Sequence, residues 1–327
     1  MTRSPVAAAL TVAVAQVPAT VLESAVGHYA AGVAHGLFGA GLPVAGPRFA
    51  DGMTIRQRRR PVGVDRRSLA GAFPGAAGRL VVFLHGLTET ERSWFRGKAD
   101  FGARLTGDLG ASPLYVRYNS GRHISENGRD LVTLVSRLVA AWPVPVTDIV
   151  LIGHSMGGLV ARSALYQAEE RRAPWLSRVT RLVCLGTPHS GAPLERHVAR
   201  LVSLLGNSAW TAPLTRVLAL RSDGIRDLGD GWIHREQWAG AEAGPELRAP
   251  PGVRRLFVSA TLSHTEGSRW GRLIGDLLVT PVAAAEPTES ADVAWLGGLN
   301  HFALQHADAV YDTVLGWLRA DAKGSAP

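Results

Sequence analysis

The sequence predicts an α/β protein built on a mostly parallel central sheet with helices on both faces, and three observations carry that expectation. Short, continuous apolar runs recur along the chain, and such runs suit strands buried on both faces of a parallel sheet. Between them lie segments whose apolar residues repeat at helical spacing, and strands alternating with helices point to parallel pairing through crossover helices. The 327 residues are 46% hydrophobic and 19% charged, an ordinary globular balance that excludes a disordered or fibrous chain.

Taken in order, the first apolar run is Leu80-Val81-Val82-Phe83-Leu84, which ends in His85-Gly86. The pattern returns at 113–118, 149–152, 179–185, 255–259 and 293–296, and helical spacing is read at 92–109, 126–141, 156–171 and 302–319. In the last of these Leu304, Ala307, Tyr311, Val314 and Leu318 form one face. The stretch 191–251 breaks the alternation without a clear strand. Val198, Leu201, Val202 and Leu205 make a short amphipathic face there, which predicts a helical lid or cap insertion.

At the other end, Glu23 is the sole formal charge between Ser4 and Pro47. Val6, Leu10, Val14, Val17 and Val21 recur at helical spacing, and the pattern continues through Val26, Tyr29, Val33 and Leu37. We therefore expect an apolar helical extension over 1–50 ahead of a domain over 51–327. The competing reading is a secretion signal, since Arg3 precedes the apolar run and Val17-Pro18-Ala19 resembles a cleavage site. The first reading implies a cytoplasmic protein in peripheral contact with a membrane; the second implies secretion. No stretch reaches about 18 clean apolar residues, which argues against a membrane span.

Lys plus Arg outnumber Asp plus Glu by 35 to 27, a net charge of +8. The basic cluster Arg56, Arg58, Arg59, Arg60, Arg66 and Arg67 reads as a solvated face that can also attract anionic groups. No aromatic residues interleave with it, so no nucleic-acid partner is expected. The single cysteine, Cys184, lies in an apolar run and excludes an internal disulfide. No HExxH, zinc spacing or nucleotide-binding glycine pattern is present, so neither a metal nor a cofactor is expected.

The chemistry-bearing motif is Gly153-His154-Ser155-Met156-Gly157, preceded by the apolar strand 149–152 and followed by a helical pattern. A serine between glycines at a strand-to-helix turn is lifted to the edge of the sheet, where its hydroxyl can act as a nucleophile. Together with His85-Gly86-Leu87, Gly186-Thr187-Pro188-His189-Ser190-Gly191, the Gly275-Asp276-Leu277-Leu278-Val279 stretch and Asn300-His301-Phe302, this motif resembles the α/β-hydrolase superfamily. The likeness is to bacterial lipases and esterases, among them triacylglycerol lipases, and to the deacylase domain that acts on GPI-anchored inositol. It spans roughly 79–318 and leaves the N-terminal extension outside.

The resemblance implies an order of nucleophile, acid and histidine. A serine hydroxyl needs an imidazole to take its proton. Of the histidines far enough beyond Ser155, His301 alone follows the last strand and precedes the last helix, which makes it the candidate base. Asp276 is the candidate carboxylate, although Leu277 stands where the family usually has glycine. Asp292 competes, but its place at the start of a strand points it to the wrong sheet edge. The oxyanion donors are expected to be the backbone N–H groups of Leu87 and Met156, whose side chains would line the acyl pocket. His154 and His189 are expected to shape the site.

These residues point to a serine hydrolase of carboxylic esters, working through an acyl-enzyme on Ser155 and needing no cofactor. The apolar N-terminus and the lid tilt the substrate towards lipids or long-chain acyl esters. An acyltransferase using the same triad, or a catalytically silent lipid-binding protein, are the alternatives.

Overall fold

The computed structural model describes residues 52–57, 60–95, 100–189, 191, 222–239, 250–261 and 291–320. The expected extension over 1–50, most of the stretch 191–251 and the candidate acid Asp276 lie outside these residues. An eight-stranded sheet runs through the molecule. Its strands are β1 (Thr54–Gln57), β2 (Arg60–Val62), β3 (Arg79–Leu84), β4 (Ser112–Arg117), β5 (Asp148–His154), β6 (Val179–Leu185), β7 (Arg254–Thr261) and β8 (Asp292–Gly297), in spatial order β2-β1-β4-β3-β5-β6-β7-β8. Strands β3 to β8 pair in parallel, and the β1–β2 hairpin joins β4 antiparallel. With helices on both faces, this is an α/β-hydrolase fold.

Alternation along the buried strands divides the core in two. Leu80, Val82 and Leu84 of β3 face one side with Ile149 and Leu151 of β5, where they meet α1 (Arg66–Ala72), α3 (Ile124–Ala141) and α4 (Met156–Glu170). Val81, Phe83, Val150 and Ile152 face the other side and meet α2 (Phe101–Leu109) and α7 (Asp308–Arg319). Each fully buried aliphatic side chain contributes roughly 1.5–3 kcal/mol, so these runs hold the sheet between its helical layers. Cys184 is one of the buried residues, and burial pushes its thiol up to about 12.

Two helices expected from periodicity are interrupted. Within 92–109 the described residues form a 3-10 turn, Glu91–Phe95, and then α2. Asp100 caps α2 by accepting from the Gly102 N–H at 2.8 Å, and Gly110 ends it at φ 60°. The segment 302–319 likewise divides into a 3-10 turn, His301–Gln305, and α7. The arginine cluster also differs from a uniformly solvated face. Arg56 lies in β1 with 11% of its side chain exposed, 3.7 Å from the buried Glu91, while Arg60, Arg66 and Arg67 are exposed. Burial alone would raise the Glu91 carboxyl, but Arg117, which binds both its oxygens at 2.6 Å, and Arg56 hold it below its usual range.

Within 191–251, the described residues form α5 (Asp223–Asp230) and α6 (Arg235–Trp238). They are fastened to the start of α3. The Ile124 N–H donates to Asp227 at 2.8 Å, the Trp238 indole N–H donates to the Ser125 hydroxyl at 3.0 Å, and the Trp238 ring stacks on His123 with centroids 3.9 Å apart. Among the described residues no helix is long and apolar enough to cross a membrane.

Candidate active site

Parallel register aligns the carboxyl ends of the central strands. Leu84 lies beside Gly153, and His154 beside Leu185. The turns that leave β3, β5 and β6, and the turn that follows β8, therefore meet along one sheet edge, where ligands of open α/β sheets bind.

The sharpest of these turns is the one between β5 and α4. Ser155 has φ 52° and ψ −121°, a region that costs a non-glycine residue about 1–3 kcal/mol and persists only where the surroundings enforce it. The Ser155 N–H donates to the Leu185 carbonyl at 2.8 Å, and the Gly158 N–H donates to the Ser155 carbonyl at 3.1 Å. The flanking glycines are sterically required. A Cβ on Gly153 would stand 2.4 Å from the backbone of Gly157 and Gly158, and one on Gly157 would stand 2.4 Å from the Leu84 carbonyl oxygen.

Beside this turn runs the one that follows β3. The Glu89 N–H donates to the Gly86 carbonyl at 3.3 Å, and Thr88 sits at φ 59°. A Cβ on Gly86 would lie 3.3 Å from the Ser155 Cβ, so the absence of a side chain brings this backbone against the serine. The amides on either side of Leu87 are engaged: Gly86 donates to Glu89 Oε2 at 2.9 Å and Thr88 to the Ser120 hydroxyl at 3.1 Å. His85 braces the turn from below. Its Nε2 accepts from the Tyr118 N–H at 3.3 Å, which puts the proton on Nδ1, 2.9 Å from the Gly86 carbonyl oxygen. Burial pushes His85 down to about 4, so the ring stays neutral.

His301 opens the turn after β8, and its imidazole rests on the end of β6. A Cβ on Gly186, at φ 60°, would lie 2.9 Å from its Cε1. The residue is 3% exposed, and its ring centroid lies 4.7 Å from that of His154. The structure thus brings Ser155, Leu87, Met156 and His301 to one edge. Asp292 is at the other, where it binds Arg254 at 3.1 Å and the Trp317 indole at 2.6 Å.

One side-chain reading changes. Met156 is wholly buried in the core at the start of α4, rather than lining a pocket. His189 lies against Phe257 and 3.1 Å from Arg162, and burial, reinforced by Arg162 and Arg255, holds it well below the usual histidine range. Sequence reasoning missed Glu89 and Gln305. Glu89 Oε2 lies 3.1 Å from His154 Nδ1 and accepts from the Gln305 amide at 3.0 Å. The one sequence signal is a carboxylate three residues beyond Gly86.

The fold is that of the α/β-hydrolases, and the chain is similar to lipases and esterases. A model of the PGAP1-like alpha/beta domain matches residues 119–225, which include the serine turn. A triacylglycerol lipase of Burkholderia plantarii is 33% identical over 157 residues, 46% of this chain. The match covers 38% of the length of that relative. Among solved structures, lipase B of Aspergillus fumigatus aligns over 82% of this chain and 56% of its own, at 12% identity and a TM-score of 0.48. An esterase of Pyrococcus furiosus aligns over 75% and 82%, at 14% identity and a TM-score of 0.47.

Proposed function

We propose that the protein is a carboxylic ester hydrolase in which Ser155 attacks the ester carbonyl and His301 takes its proton, with Asp276 orienting the imidazole. The tetrahedral oxyanion is held by the N–H groups of Met156, at the start of α4, and Leu87. The alkoxide leaves with the proton from His301, and a water activated by the same imidazole then releases the acid from the acyl-enzyme. The observation that carries this reading is the strained backbone of Ser155 at the sheet edge. A serine that needed only to turn the chain could be a glycine, and the strain would vanish. The engaged amides on either side of Leu87 support Leu87 as the second oxyanion donor.

The substrate proposed is an ester of an apolar acyl chain, a reading supported by the lipase identity over 46% of the chain. The direct assay is hydrolysis of nitrophenyl esters of graded chain length. Ser155→Ala is expected to abolish turnover while circular dichroism stays native; retained turnover defeats the scheme. Including a competing alcohol separates hydrolysis from acyl transfer, because a transferase forms a new ester. For the acid, Asp276→Asn should cut kcat by about four orders of magnitude, whereas Asp292→Asn should leave it within a few-fold. The reverse ranking would move the role to Asp292.

A further inference from the structure

Beneath the serine turn lies a second carboxylate–imidazole pair, made of Glu89 and His154, which are 6% and 1% exposed. His154 Nε2 lies 3.1 Å from the carbonyl oxygen of His301. A carbonyl can only accept, so Nε2 carries a proton and donates it. Nδ1 faces Glu89 Oε2 at 3.1 Å, with a proton on the line between them. The same Oε2 accepts from the Gly86 N–H at 2.9 Å and from the Gln305 side chain at 3.0 Å, and Gln305 also reaches the Ser93 hydroxyl at 2.8 Å.

One buried oxygen therefore gathers three chain segments. Gly86 belongs to the turn beside the serine, His154 is the residue before the serine, and Gln305 closes the turn that His301 opens. We propose that Glu89 and His154 are positioning residues for the reaction, holding the main chain of His301 and the turn before Leu87 at a fixed distance from Ser155. This rests on the assignment of Ser155 and His301 above. The pair handles no proton of the substrate, because both His154 nitrogens are engaged within the protein. Its effect falls on kcat, where a displacement of about 1 Å between reacting groups costs on the order of a hundredfold.

Two amide substitutions separate this role from simple packing. In His154→Gln the longer side chain reaches the position of Nε2 and can still donate to the His301 carbonyl. In His154→Asn the shorter amide reaches only the position of Nδ1, so the contact with Glu89 survives and the tether is lost. At matched thermal stability, kcat on a soluble nitrophenyl ester should stay within about threefold for His154→Gln and fall at least tenfold for His154→Asn, with KM within twofold for both. Glu89→Gln, nearly the same shape, should also lower kcat at constant KM. Equal kcat in all three variants, a reversed order of the two amides, or a change confined to KM would overturn the proposal. Ser155→Ala in the same assay keeps the two readings apart. Loss of activity there with normal kcat in the His154 variants removes only the positioning role, whereas activity without Ser155 removes the reading beneath it.

Discussion

At the scale of single residues, the site is marked by groups held where their own chemistry would not place them. Ser155 keeps a backbone conformation that favours glycine, so Ser155→Gly should unfold at a higher free energy than Ser155→Ala, by about 1 kcal/mol. Urea titrations of the two variants measure that difference, and equal stabilities would mean that the turn is not strained. His85 is a second such group. An unfolded histidine titrates near 6.5, whereas burial puts the folded one at about 4. Between those values the unfolded chain binds more protons, so stability falls as pH drops from about 6.5 to 4. Converted by linkage, the full loss is about 3 kcal/mol. The stability advantage of the wild type over His85→Gln should therefore shrink across that window; an advantage that stays constant with pH would contradict a neutral buried ring.

At the scale of elements, what was legible in the sequence and what was not follow from where each segment's information lies. The runs 80–84, 149–152 and 182–185 are buried on both faces, so their own composition announces them as strands. The β1–β2 hairpin has no such run. Ile55 alone is buried in it, and Arg56 is fixed by Glu91, a partner far along the chain. Periodicity joined the 3-10 turn 91–95 to α2 and the turn 301–305 to α7 because apolar spacing continues across each break, while the cap at Asp100 and the bend at His306 are local. Ser155 and His301 could be placed at one edge because a parallel sheet aligns its carboxyl ends. The Glu89–His154–Gln305 network could not, since it depends on turn geometry that spacing does not encode. The docking of α5 on α3 belongs to the same class. Asp227 is buried, which pushes its carboxyl above the usual range, although the Ile124 amide and His123 pull it down. Asp227→Ala leaves the Ile124 N–H without its acceptor and should cost about 1–3 kcal/mol, read as faster hydrogen exchange at the Ile124 amide than at mid-helix amides of α3.

At the scale of the whole molecule, the sheet acts as a ruler. Its register brings the turns after β3, β5, β6 and β8 to one edge, and its two-sided core resists the strain stored in the Ser155 turn. Enlarging any glycine of that turn should therefore propagate into the sheet. Gly153→Ala sets a methyl 2.4 Å from backbone atoms that cannot rotate away, and should lower the unfolding temperature and abolish activity together. The central claim is that this edge carries a serine activated by His301. Mass spectrometry after treatment with a fluorophosphonate reads it most directly. The account predicts one adduct per chain on the peptide containing Ser155, absent from Ser155→Ala and formed at least a hundredfold more slowly in folded His301→Ala. An adduct on another residue, or undiminished labelling without His301, would contradict it.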